Sequence, residues 1–165
     1  MTPGDGLGSA PGDDSRLRYT AKRNVEGELL YIFCMRADNR YMSLETLVTR
    51  ALRAGEVHEL IVSSSPGLAP GADVPDVAYV GFFEVDRAGI AEVGDEVFVG
   101  DRLLGRLAGF DLTHMPNHMN IVVASAEAAT GAELGLEVGT RVRLCTPAGG
   151  QAPPGGIHVK LSRQG

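Results

Sequence analysis

Short apolar runs divided by glycine set the terms for this chain. Its 22 glycines separate segments that are too short and too rich in valine for long helices. Glycine takes the positive φ of tight turns at no steric cost, so the pattern predicts strands joined by turns. Val97-Phe98-Val99 and Arg102-Leu103-Leu104 flank Gly100-Asp101, a two-residue hairpin signal. Residues 17–25 and 28–36 flank Glu26-Gly27 in the same way. Residues 77–85, VAYVGFFEV, form a nearly continuous apolar run, which predicts a strand buried on both faces. Residues 121–124, 141–145 and 157–161 complete the expected strands.

One unit occurs twice. Glu92-Val93-Gly94-Asp95-Glu96-Val97 is echoed by Glu137-Val138-Gly139-Thr140-Arg141-Val142. In each, glycine supplies a turn, the next side chain can cap it with an oxygen, and a strand follows. A helix is expected over residues 43–54, where Leu44, Leu47, Val48, Ala51 and Leu52 recur at helical spacing. Ser43 can cap its start and Gly55 its end. The alternative there is another strand and turn, because Thr46, Val48 and Thr49 are β-branched. The expected fold is mainly β: a small closed or partly open β-barrel with one or two short helices.

Composition narrows the function classes. Acids outnumber bases by 21 to 15, for a net charge of -6, and that sign repels phosphate backbones and disfavours a nucleic-acid role. No run of 18 apolar residues suggests a membrane span. No secretory signal is legible. Two cysteines, Cys34 and Cys145, make no disulfide framework, and both sit in apolar runs as expected core thiols. A cytoplasmic protein is expected. Residues 1–15, rich in Gly, Pro and Asp, read as a disordered tail. Residues 16–165 read as a single domain, with loose stretches at 63–75 and 147–156.

The densest polar segment runs from Gly109 to Asn120 and holds Asp111, His114, Asn117, His118 and Asn120. Pro116 lies between the two histidines and argues for a kinked loop rather than a helix. Two imidazoles, a carboxylate and two amides this close suit acid/base work or metal binding. The structural alternative is a loop in which Asp, Thr and Asn bond their own backbone. In Glu56-Val57-His58-Glu59-Leu60, strand alternation puts Glu56 and His58 on one face and Glu59 on the other. His58 with His114 and His118 would make a three-histidine set for a divalent metal such as zinc. The alternative is a solvated strand end. Arg36, Arg40, Arg50 and Arg53 could bind an anion through their guanidinium forks, or be exposed arginines paired with Asp38, Glu45 and Glu56. His158 reads as an exposed strand residue. No phosphate-binding loop, dinucleotide fingerprint or nucleophile elbow is present in the sequence.

The stretch from Val93-Gly94-Asp95 through Gly100-Asp101-Arg102 to His118-Met119-Asn120-Ile121-Val122-Val123 resembles the glucitol/sorbitol-specific enzyme IIA domain of the bacterial phosphotransferase system. Gly155-Gly156-Ile157-His158-Val159 resembles a further segment of that family. The resemblance implies a small β-barrel and a phosphocarrier role, with His58 or His118 as acceptor. In that family the Ile-His-Val segment precedes the second Val-Gly turn, whereas here it follows. The chain also resembles an uncharacterised bacterial domain family, through residues 55–60 and 110–118.

The leading expectation is a small enzyme of lyase or isomerase type acting on a polar or anionic metabolite, with no organic cofactor. His114 and His118 are the expected acid/base groups, Asp111 orients an imidazole, and His58 and Glu59 complete the pocket. Asn117, Asn120, Arg36 and Arg40 are expected to bind substrate. The alternatives are the phosphocarrier and a non-catalytic assembly module in which free strand edges pair into a homo-oligomer.

Overall fold

The computed structural model describes residues 17–38, 42–152 and 154–156. Twelve strands follow one another in these residues, and no helix occurs among them. They are β1 (Val25–Ile32), β2 (Arg36–Ala37), β3 (Met42–Ser43), β4 (Thr49–Leu52), β5 (Val57–Ser63) and β6 (Asp73–Val74). Then come β7 (Val77–Arg87), β8 (Gly89–Glu92), β9 (Glu96–Val99), β10 (Arg102–Asp111), β11 (Asn120–Ala124) and β12 (Arg141–Cys145). Two compact units divide the chain. In one, whose described parts are residues 17–21, 148–152 and 154–156, the Leu17 amide donates to the Gln151 carbonyl. The other, residues 22–147, contains all twelve strands.

Seven strands close into a ring of hydrogen bonds in the order β1-β12-β9-β10-β11-β5-β7, and β7 pairs back to β1. All pairings in the ring are antiparallel except β11 with β5. The main apolar cluster takes residues from all seven, among them Leu29, Leu60, Phe83, Val97, Phe110, Ile121 and Leu144. These are the inward positions of alternating strands. A second cluster lies on the outer face of β10, β11, β5 and β7, where Ala108, Val122, Ile61 and Tyr79 are covered by Met42, Leu44 and Val74. The run is buried on both faces over residues 77–81, as its composition predicts, and opens to solvent on the outer face at Glu84.

The seam between β1 and β7 depends on two glycines. A Cβ on Gly27 would collide with the Glu84 carbonyl oxygen, and one on Gly81 with that of Tyr31. Gly27 is therefore not the turn residue of an expected hairpin. Strand β1 runs straight through Glu26-Gly27, and glycine serves there for close approach of two backbones. The hairpin at Gly100-Asp101 forms as expected, with Gly100 at φ 59°.

The helix expected over residues 43–54 is replaced by β3, a covering segment and β4. The Ser43 hydroxyl donates to Asp73 Oδ1 across to β6 instead of capping a helix. Leu44 is pressed onto Gly109 on the outer face, while Leu52 enters the main cluster. The apolar spacing serves two different cores, and the β-branched residues stay extended.

The repeated turns match in detail. Gly94 and Gly139 have φ of 97° and 92°. Asp95 Oδ2 accepts from the Glu92 amide at 2.9 Å, and Thr140 Oγ1 from the Glu137 amide at 3.3 Å. Asp95 is buried and also holds Lys22 Nζ at 2.6 Å. Cys145 is half-buried, and burial pushes its thiol pKa up. Cys34 is exposed, contrary to the expected core position, because it lies beyond the end of β1. The expected tail at 1–15 and strand at 157–161 lie outside the described residues.

Overpacking the seam gives a direct test of the ring. Gly27→Ala and Gly81→Ala should each lower the free energy of unfolding by about 3 kcal/mol, measured by urea denaturation. Wild-type stability in both variants would mean that β1 and β7 do not pair so closely.

Candidate functional site

The period-two alternation of β5 divides its polar residues between the two sides of the ring. His58 shares the parity of Leu60 and Val62 and faces inward, whereas Glu59 shares that of Ile61 and faces outward. Both are buried, at 4% and 6% exposure. The side chain of Glu56 follows His58, and its Oε2 lies 3.8 Å from His58 Nε2.

His58 Nδ1 accepts the Met119 amide at 3.1 Å, which ties β5 to the start of β11. An accepting Nδ1 requires the ring to carry its proton on Nε2. Burial lowers the His58 pKa; the Glu56 carboxylate opposes this, while the charges of Arg50 and His118 reinforce it. This imidazole is a neutral structural link.

Glu59 heads a different group. On the outer face, one register line crosses the sheet through Asp111 (β10), Asn120 (β11), Glu59 (β5), Phe82 (β7) and Tyr31 (β1). Asp111 Oδ2 accepts from Asn120 Nδ2 at 2.8 Å, and its Oδ1 from Thr113 Oγ1 at 2.7 Å. The loop from Leu112 to Met119 folds over this line as a series of turns, with the Asn117 amide donating to the His114 carbonyl. That brings His118 Nε2 to 3.2 Å from Glu59 Oε2. His118 Nδ1 meets Asn117 Oδ1 at 2.6 Å. The ring of His114 stacks on that of His118 with centroids 5.1 Å apart, and Phe82 meets His118 edge-on at 4.9 Å. Phe82 continues to Tyr31 and Phe33 through ring contacts of 5.6 and 5.4 Å.

The expected residues therefore separate. His114, His118, Glu59, Asp111, Asn117 and Asn120 gather on the outer face. His58 is on the other side of the sheet. The three histidines do not converge, and among the described residues no group of three or more His, Cys, Asp or Glu side chains is placed to hold a metal ion. Asp111 orients the Asn120 amide rather than an imidazole; Glu59 is the carboxylate that faces one. Arg36 pairs with Glu133 and donates to the Ala128 carbonyl. It sits opposite Ala78, four residues along β7 from Phe82, and so lies outside this group. Arg40 and His158 are outside the described residues. Phe82 is the site residue that the sequence did not single out. It stands in a long apolar run, where nothing distinguishes a wall of a site from core.

The fold and this geometry define a class: a ring of β-strands carrying a buried imidazole–carboxylate pair on its outer face. The chain belongs to a family of unknown function, DUF6917, which it matches over residues 19–145. The match covers every strand of the ring and every residue of the outer-face group. It agrees with the expected likeness to an uncharacterised domain family, and no comparison supports the likeness to the glucitol/sorbitol-specific enzyme IIA domain. No curated protein and no solved structure matches the chain. Among the described residues, no helix is long and apolar enough to cross a membrane.

The depressed basicity of His58 has a definite sign. The unfolded chain takes up a proton near the ordinary histidine pKa of about 6.5, before the native state does. Stability is thus complete above that pH and falls as the pH drops below it toward the native value. His58→Asn, which keeps an acceptor for the Met119 amide, should flatten this part of the profile between about pH 7 and 5. Urea midpoints across that range measure it, and a slope unchanged in His58→Asn would assign it to another group.

Proposed function

We propose that this protein is a small enzyme in which His118, held by Glu59, transfers a proton to or from a polar or anionic metabolite. The observation that carries the reading is the buried Glu59 carboxyl group 3.2 Å from His118 Nε2. A carboxyl group at one ring nitrogen fixes the imidazole and leaves chemistry to the other. That other nitrogen, Nδ1, faces the exposed side chain of Asn117 at the solvent side of the loop. A ligand that turns Asn117 aside would meet Nδ1, with exposed His114 stacked beside it to bind an anionic group. A proton taken from one substrate atom and returned to another is an isomerisation. A proton taken as a leaving group departs is an elimination. Both reactions fit the lyase or isomerase class and need only such a group.

The test is a panel of small carboxylates, hydroxy acids and phosphate esters, assayed for thermal stabilisation and for turnover. Some members should stabilise the wild type. His118→Ala should abolish that effect or weaken binding at least tenfold. Turnover should fall by about 100-fold or more in His118→Ala, the usual contribution of a positioned acid or base, while Glu59→Gln should retain binding. Binding and turnover unaffected by His118→Ala would remove the reading. Labelling of His118 by phosphoenolpyruvate and the general phosphotransferase proteins would replace it with a phosphocarrier.

A further inference from the structure

The register line behind His118 contains two buried carboxyl groups with one amide between them, and this arrangement constrains where the protons are. Asp111, Asn120 and Glu59 are direct partners on adjacent strands, so neighbouring backbones lie about 4.8 Å apart. Asn120 is fully buried. Its Nδ2 is committed to Asp111 on the β10 side. Its Oδ1 is buried with no hydrogen-bond partner among the described residues, although the next residue on the line, across on β5, is Glu59. An ionised Glu59 would set a carboxylate beside a buried acceptor and within two strand spacings of a second buried carboxylate. A carboxyl O–H on Glu59 would supply the donor that this buried Asn120 acceptor lacks. Both Asp111 oxygens accept side-chain hydrogen bonds, from Thr113 and Asn120, which holds the Asn120 amide with Nδ2 toward β10 and Oδ1 toward β5.

We infer that Glu59 is a protonated, neutral acid in the resting protein, and that Asp111, acting through the Asn120 amide, keeps it so. This rests on the reading of the Glu59–His118 pair as the reacting site and assigns its starting protonation. The carboxyl O–H of Glu59 points toward Asn120 Oδ1, and Oε2 faces His118 Nε2 at 3.2 Å. His118 is then a neutral imidazole with its Nδ1 lone pair toward the loop opening, a base ready for substrate. Exposed Asn117 can present either end of its amide to that nitrogen. Asp111 is a positioning residue: it fixes which way the Asn120 amide points, and touches neither imidazole nor substrate. Titratable groups near His118 among the described residues include Glu59 on β5, His114 in its own loop, Asp111 behind Asn120, and His58 on the far side of the sheet.

The experiment needs no ligand. Imidazole titrations by NMR compare His118 in the wild type, Glu59→Gln and Asp111→Asn. If Glu59 is already neutral, glutamine replaces it without loss of charge, and the His118 ionisation constant stays within about twofold. An ionised partner at this distance is worth tenfold or more, so any greater weakening of His118 basicity in Glu59→Gln overturns the inference. Asp111→Asn should let Glu59 ionise and raise the His118 basicity about tenfold. No change in a folded Asp111→Asn protein would remove the role given to Asp111. Where that variant does not fold, infrared spectra decide: a protonated carboxyl band should appear in the wild type near neutral pH and vanish in Glu59→Gln, and its absence from the wild type overturns the inference. These readouts concern the resting protein alone. An ionised Glu59 would sink the inference and leave the enzyme reading standing, whereas ligand binding indifferent to His118 would sink that reading.

Discussion

Side-chain alternation along β5 is the constraint from which the rest of the site follows. Consecutive residues of an extended strand must point to opposite sides of the sheet, and β5 is hydrogen-bonded on both edges, to β11 and β7. A slip of one residue would put Glu59 into the main apolar cluster and His58 out beside Phe82. The apolar neighbours Leu60, Ile61 and Val62, buried in two different clusters, prevent that slip. One imidazole is thereby committed to the interior and its neighbouring carboxyl group to the outer face.

The same rule explains why polar groups are tolerated at this depth. Burial of an unsatisfied carboxyl or amide costs a few kcal/mol. Asp111 meets that cost through Asn120 and Thr113, the amide being held at a fixed strand spacing from its partner. The loop over it then has little to supply beyond two imidazoles and an amide, and its turns are enough to place them. The aromatic half of the line, Phe82 and Tyr31, keeps that side of His118 apolar.

The strands were legible in the sequence wherever local signals sufficed. Gly100-Asp101, the repeated Val-Gly turns and the run doubly buried at 77–81 are short-range patterns with one physical solution each. The opposite orientation of His58 and Glu59 followed from periodicity alone. Residues 43–54 misled because helical spacing of leucines also arises when alternate residues feed two separate clusters. Gly27 misled because a glycine required for backbone approach looks, in one dimension, like a glycine required for a turn. The partnership of Glu59 with His118, and of Asp111 with Asn120, joins residues through strand register. Register is a long-range property that no local pattern encodes, so the members of the site could be named but not matched.

The ring has a consequence for biosynthesis. Strand β12 is the last of the twelve in the chain, yet it lies between β1, the first, and β9. A nascent chain that has released everything up to β11 therefore still lacks the stave that joins these two, leaving Val25, Leu29, Val97 and Val99 without the cover of Val142 and Leu144. The pairings of β12 with β1 and β9 cannot form until β12 itself has been made. The ring thus closes only once β12 is present, and a product truncated before it would expose open edges on β1 and β9.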